Sequence, residues 1–150
     1  MSERINPYKV ASGGFKLMTD MEKYLHGCGL EQSLIELVKM RASQINGCAF
    51  CLNMHSQDAR KNGETEQRLY LLDAWRETEL FSDRERAALA WAEALTLVSQ
   101  THAPDEVYAQ VRAQFSDADL ANLTLLIGII NTWNRIAIGF RAPLPVAKAA

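Results

Sequence analysis

Apolar residues along this chain recur at intervals of three and four, and no segment alternates as a strand would. The pattern predicts helix almost throughout. A first helix opens at Asn6-Pro7, a good cap followed by proline at the first helical position. It carries Phe15, Met18, Met21 and Leu25 on one side, with Gly13-Gly14 as a point of early interruption, and stops near Gly27 and Gly29. A second runs from about Glu31 to Ile45 with Leu34, Val38, Arg41 and Ile45 in its stripe and Glu36 and Lys39 off the stripe's centre. The third ends at Asn62-Gly63, with Lys61 in the last turn where the helix dipole favours a cation. A fourth, about Thr65 to Arg76, turns Leu69, Leu72 and Trp75 inward. Ser82-Asp83-Arg84-Glu85 reads as a capping box opening a fifth helix, striped by Ala87, Trp91, Ala94 and Val98. Pro104 starts a sixth with Val107, Val111 and Phe115, and Ser116-Asp117-Ala118-Asp119 opens a last long helix to about Phe140. Beyond Arg141, Pro143 and Pro145 exclude helix. Seven helices with short connections predict an all-α bundle filling one domain over residues 1–150.

The last helix is apolar on more than one side, from Leu120 and Leu123 to Ile136 and Ile138. Such a helix must be buried all round, centrally or at a subunit interface, so a homo-oligomer (dimer, trimer or hexamer) is expected. Its polar residues Asn131, Asn134 and Arg135 either form a satisfied internal network, line a site, or face solvent, the last being the commoner fate of each taken alone.

Composition narrows the function. The chain is 48% hydrophobic and 23% charged with a formal net charge of −2, which gives no electrostatic reason for a nucleic acid or an anionic membrane as partner. The segment Met1 to Pro7 lacks the apolar core of a signal peptide, and no apolar run approaches membrane-span length. A cytoplasmic location follows as the expectation. In that reducing compartment paired cysteines are more often catalytic or metal-binding than structural.

The chemistry concentrates in Ile45-Asn46-Gly47-Cys48-Ala49-Phe50-Cys51-Leu52-Asn53-Met54-His55. Positions three, four and seven apart share a helix face, so Cys48, Cys51 and His55 point the same way. Asn46-Gly47 is a helix stop, which puts Cys48 at the start of the next helix. Free N–H groups and the positive dipole end there favour a thiolate. A thiolate attacking a hydroperoxide becomes a sulfenic acid, which a neighbouring thiol condenses to a disulfide. Two other readings fit the same residues: inert core cysteines, and a zinc site with Glu36 as fourth ligand, for which a second ligand pair is missing.

With Glu36 placed twelve residues before Cys48, the set Glu36, Cys48-Ala49-Phe50-Cys51 and His55 resembles the pattern of the alkylhydroperoxidase AhpD-like branch of the carboxymuconolactone decarboxylase superfamily. The flanking Leu34 to Gly47 is also similar, and Ser82 to Trp91 more loosely. The resemblance implies an AhpD-like, all-helical, oligomeric thiol peroxidase. It makes Cys51 the peroxide-attacking residue, Cys48 its resolving partner, and His55 and Glu36 a proton relay. It implies a hydroperoxide substrate, a dithiol or lipoylated protein as reductant, and no cofactor. Phe50 departs from the pattern, standing where dedicated peroxidases often carry a second histidine. That departure motivates the alternative of a thiol–disulfide exchange or redox-sensing module. Outside the motif, Cys28 reads as a core cysteine, His26 and His102 as surface histidines, and Trp75, Trp91 and Trp133 as packing residues.

Overall fold

The structure is a computed structural model and describes residues 4–145. Its described residues form nine α-helices and one 3-10 helix, with no strand. They are α1 (Pro7–Val10), α2 (Ser12–His26), α3 (Gln32–Asn46), α4 (Ala49–Lys61), α5 (Glu66–Tyr70), the 3-10 helix Leu72–Glu77, α6 (Asp83–Thr96), α7 (Val98–Thr101), α8 (Asp105–Arg112) and α9 (Asp117–Phe140). The expected all-α bundle is present, cut into more pieces than seven. The Asn6 side chain caps α1, accepting from Lys9 N–H, and Pro7 takes the first helical position. The first break falls at Ala11 rather than at Gly13-Gly14, which both lie inside α2. The segment Thr65 to Arg76 also divides, at Leu71. Its apolar residues Leu69, Leu72 and Trp75 are three apart, and the tighter 3-10 turn lines up such positions better than an α-helix does. Residues 141–145 are not helical, as the prolines require; the remainder of the tail, like Met1 to Glu3, lies outside the described residues.

The centre of the bundle is α3, not the last helix. It packs on α4, α6, α9 and the 3-10 helix, and most of its residues from Leu34 to Ser43 are buried. Glu36 and Lys39 are among them, 4% and 2% exposed, against the expectation of an off-centre position. The α9 helix buries Leu120, Leu123, Leu126, Ile127 and Ile130 but leaves Leu125 and Ile138 nearly half exposed, so it is not enclosed on all sides within one chain. Length and composition alone would let α9 cross a membrane, contrary to the expectation of no such run. Yet its buried face carries Asn122, Asn131 and Asn134, whose amides bond to other helices of the bundle.

One salt-bridged knot fastens α3 to its neighbours. Glu93 on α6 accepts from Arg41 Nε and from the Trp75 indole, each at 2.8 Å, and pairs with Arg76. Burial pulls the Glu93 carboxyl upward, but these three donors outweigh it and hold the group below its usual range. The Ser82–Glu85 capping box forms as expected, opening α6.

Candidate functional site

A helix end and a helix start, with only Gly47 and Cys48 between them, build the cysteine site. Gly47 adopts φ 67°, ψ 36°, a left-handed conformation that costs glycine little. Its N–H bonds to the Gln44 carbonyl at 3.2 Å and the Cys48 N–H bonds to the Ser43 carbonyl at 3.0 Å, the paired bonds of a Schellman end. Cys48, which completes that motif, is also the N-cap of α4. Its sulfur accepts from the Cys51 N–H at 3.4 Å, and its carbonyl accepts from Leu52 N–H at 2.9 Å. The expected position of Cys48 at a helix start therefore holds. Both cysteines are buried and free, and Cys28 also has no disulfide partner.

The two thiols titrate as a pair. Cys48 is drawn down to about 7 by the hydrogen bond it receives from the Cys51 thiol. Burial opposes this, while the backbone N–H groups of Cys51 and Phe50 and the Asn134 amide reinforce it. The same thiol–thiolate bond, with burial, drives Cys51 well above the ordinary thiol range. Acidity and access thus favour different sulfurs. Cys48 is the more acidic thiol, whereas Cys51 is the sulfur that opens onto the adjoining cavity.

That cavity has a volume of about 410 Å³ and is walled by Tyr8, Phe50, Met54, Trp133 and Ala137 together with Cys51, His55, Glu36, Glu22, His26, Lys39 and Asp58. His55 lies one turn beyond Cys51, as the spacing requires. Its Nδ1 is 2.9 Å from Glu36 Oε2, and both residues are buried. All four residues of the motif are therefore brought together. Among the described residues no three His, Cys, Asp or Glu side chains are grouped as metal ligands.

Several neighbours were invisible in the motif. Lys39 donates to Glu22 Oε2 at 2.6 Å, and the Trp133 indole donates to Glu22 Oε1 at 2.9 Å. Gln32 Nε2 donates to Glu36 Oε1 at 2.9 Å, and His26 Nδ1 lies 2.8 Å from Gln32 Oε1. His26 is exposed, as expected of a surface histidine, and it also stands at the rim of the cavity. A sequence signal existed: Gln32, Glu36, Lys39 and Ser43 recur at four, three and four residues, a polar stripe down a buried helix. Beneath the cysteines, Asn134 donates to Ser43 Oγ at 3.0 Å and accepts from Asn46 Nδ2 at 2.9 Å; Asn131 accepts from Asn46 and Arg135 and donates to Thr96. Asn131 and Asn134 thus form an internal network and do not face solvent.

Comparison with known proteins places this geometry in context. Residues 14–94 match the model of the carboxymuconolactone decarboxylase family. YdfG of Bacillus subtilis (strain 168) is 48% identical over 138 residues, 92% of this chain and 94% of that protein. The crystal structure of ATU0492 from Agrobacterium tumefaciens, described as of unknown function and suggested to be an antioxidant defence protein AhpD, superposes with a TM-score of 0.93 at 45% identity, covering 97% of this chain and 100% of that one. The debrominase Bmp8 shares the fold at 19% identity, with a TM-score of 0.78 over 87% of this chain and 70% of its own.

Proposed function

The chain belongs to the carboxymuconolactone decarboxylase family, and from that premise we propose that it is an AhpD-like, cysteine-based hydroperoxide reductase working through a Cys48–Cys51 disulfide. One observation carries the reading: a buried Glu36–His55 pair stands in the same cavity as Cys51, whose partner Cys48 ionises near neutrality. Because the pair holds one shared proton, shifting it from Cys51 to Cys48 exposes a thiolate to the cavity. The Cys51 sulfur then attacks the terminal peroxide oxygen; an S–O bond forms and the O–O bond breaks. The departing alkoxide takes a proton delivered through His55, whose Nδ1–H is held by Glu36. Cys48, now the protonated thiol, attacks the sulfenic sulfur; the S–S bond forms, the S–O bond breaks, and the leaving hydroxide takes the Cys48 proton to become water. A dithiol, free or carried on a lipoylated protein, returns two electrons and two protons by thiol–disulfide exchange.

Phe50 and the resting thiolate at Cys48 favour a second reading, disulfide exchange without peroxide chemistry. One experiment separates them. The fully reduced protein receives one equivalent of cumene hydroperoxide, is quenched early by alkylation, and its cysteines are mapped by mass. A rapid Cys48–Cys51 disulfide with Cys28 untouched is expected. Cys51→Ser should abolish it, and Cys48→Ser should leave an oxidised Cys51. Slow or indiscriminate oxidation, combined with fast exchange against a small dithiol, overturns the peroxidase reading.

A further inference from the structure

We propose that Gln32 and His26 are positioning residues that fix the charge of Glu36 and the tautomer of His55. The proposal rests on the reading of Glu36 and His55 as a proton relay. An ionised Glu36 can only accept hydrogen bonds, so the group 2.9 Å from its Oε1 must be the Gln32 amide nitrogen. The Gln32 carbonyl oxygen is then left facing His26 Nδ1 at 2.8 Å, and that nitrogen must carry a proton. The other ring nitrogen, Nε2, faces the buried ion pair, 3.5 Å from Lys39 Nζ and 3.7 Å from Glu22 Oε2. The donors run in one direction, from His26 Nδ1 to Gln32 and from Gln32 to Glu36. Aligned bonds of this kind polarise one another in the same sense.

The other end of the series fixes His55. With Oε1 occupied by Gln32, Glu36 Oε2 receives the proton on His55 Nδ1, leaving Nε2 as the basic nitrogen. Gln32 is what completes this arrangement. Glu36 is 4% exposed, and a buried carboxylate oxygen left without a donor is costly. The remaining ionisable groups around the cavity are Cys51 and Asp58 from α4, Glu22 and Lys39 as an ion pair, and Tyr8 from α1. Glu22 and Lys39 offset each other, so beside His55 it is Gln32 that donates to Glu36 directly.

The test has a readout independent of turnover. In reduced protein labelled with 15N-histidine, His55 should show a protonated Nδ1 and a bare Nε2. In Gln32→Leu that preference should dissolve into a mixture, and peroxide-driven disulfide formation should slow by at least about 10-fold. His26→Ala should do the same to a smaller extent. Gln32→Glu places a second carboxyl against Glu36, and the two share one proton, so the His55 titration should gain an ionisation that the wild type lacks. Unchanged His55 nitrogen shifts in both Gln32 variants overturn the proposal. If wild-type protein forms no disulfide with peroxide, the proposed function fails while the nitrogen shifts still decide the role of Gln32.

Discussion

Glu36 Oε2 and His55 Nδ1 meet at 2.9 Å although 19 residues separate them in the chain, and both side chains are less than a tenth exposed. The contact joins α3 to α4 directly behind Cys51. A pair so enclosed has no water to replace a missing partner, and substitutions at it should be felt in chemistry more than in fold.

Glu36→Gln tests this most directly. The amide keeps the size and one hydrogen-bond acceptor but removes the charge that stabilises a protonated imidazole. Disulfide formation on addition of an organic hydroperoxide should slow by roughly 100-fold, the scale of a general acid–base contribution, while the melting temperature changes little. Quenched-flow alkylation with mass mapping measures the rate. A rate within twofold of wild type would remove Glu36 from the mechanism.

The acidity of Cys48 predicts a pH dependence with a definite sign. Its thiolate is favoured over the ordinary value of 9.0 and forms at about 7, so reactivity toward iodoacetamide should be present above that pH and lost as pH falls through it. Cys51 shifts the opposite way, and only one thiolate of the Cys48–Cys51 pair should form between about pH 6 and pH 8. Ultraviolet thiolate absorbance counts the sulfurs that ionise, and the alkylated peptide identifies which. Two thiolates in that window would show that the sulfurs do not share a proton.

The buried ion pair of Lys39 and Glu22 makes a thermodynamic prediction. The lysine side chain is 3% exposed and its glutamate partner 20%. Glu22→Gln leaves an ammonium without a counter-charge and should cost about 3 kcal/mol in urea unfolding. Lys39→Met removes the charge while roughly keeping the volume and should cost less. The double variant should be more stable than the sum of the single losses, because neither charge is then stranded. Additive losses would mean that the pair contributes no coupling.

The parts of this molecule that could be read in advance depend on spacing within one helix; the parts that could not depend on what other helices bring. Cys48, Cys51 and His55 obey three- and four-residue arithmetic, and Asn46-Gly47 announced the helix end that makes Cys48 a cap. Glu36 came from family spacing alone, since a lone glutamate in a helix looks solvated. Lys39 looked peripheral because its partner Glu22 belongs to α2, and the contact of the exposed His26 with Gln32 depends on the start of α3. The interruption at Ala11 was masked by the more conspicuous Gly13-Gly14. The last helix misled in a different way: its apolar excess suggested the centre of the bundle, yet part of that surface is left open and α3 occupies the centre.

Asn134 joins the fold to the reaction. It is fully buried on α9, holding Ser43 and Asn46 on either side of the helix end that positions Cys48, and its amide also favours the ionised forms of both cysteines. Asn134→Leu would remove those donors and strand two polar partners, each at about 1–3 kcal/mol. Asn134→Ser keeps a small donor and should lose less. In the leucine variant the Cys48 thiolate should form at higher pH, so alkylation at pH 7 should slow while alkylation at pH 9 is preserved. A structural role alone predicts reduced stability with an unmoved titration midpoint. The two roles therefore separate in one experiment, comparing the unfolding midpoint with the pH at which Cys48 becomes reactive. A midpoint that stays near 7 in the leucine variant would assign the acidity of Cys48 to its own helix and to Cys51 alone.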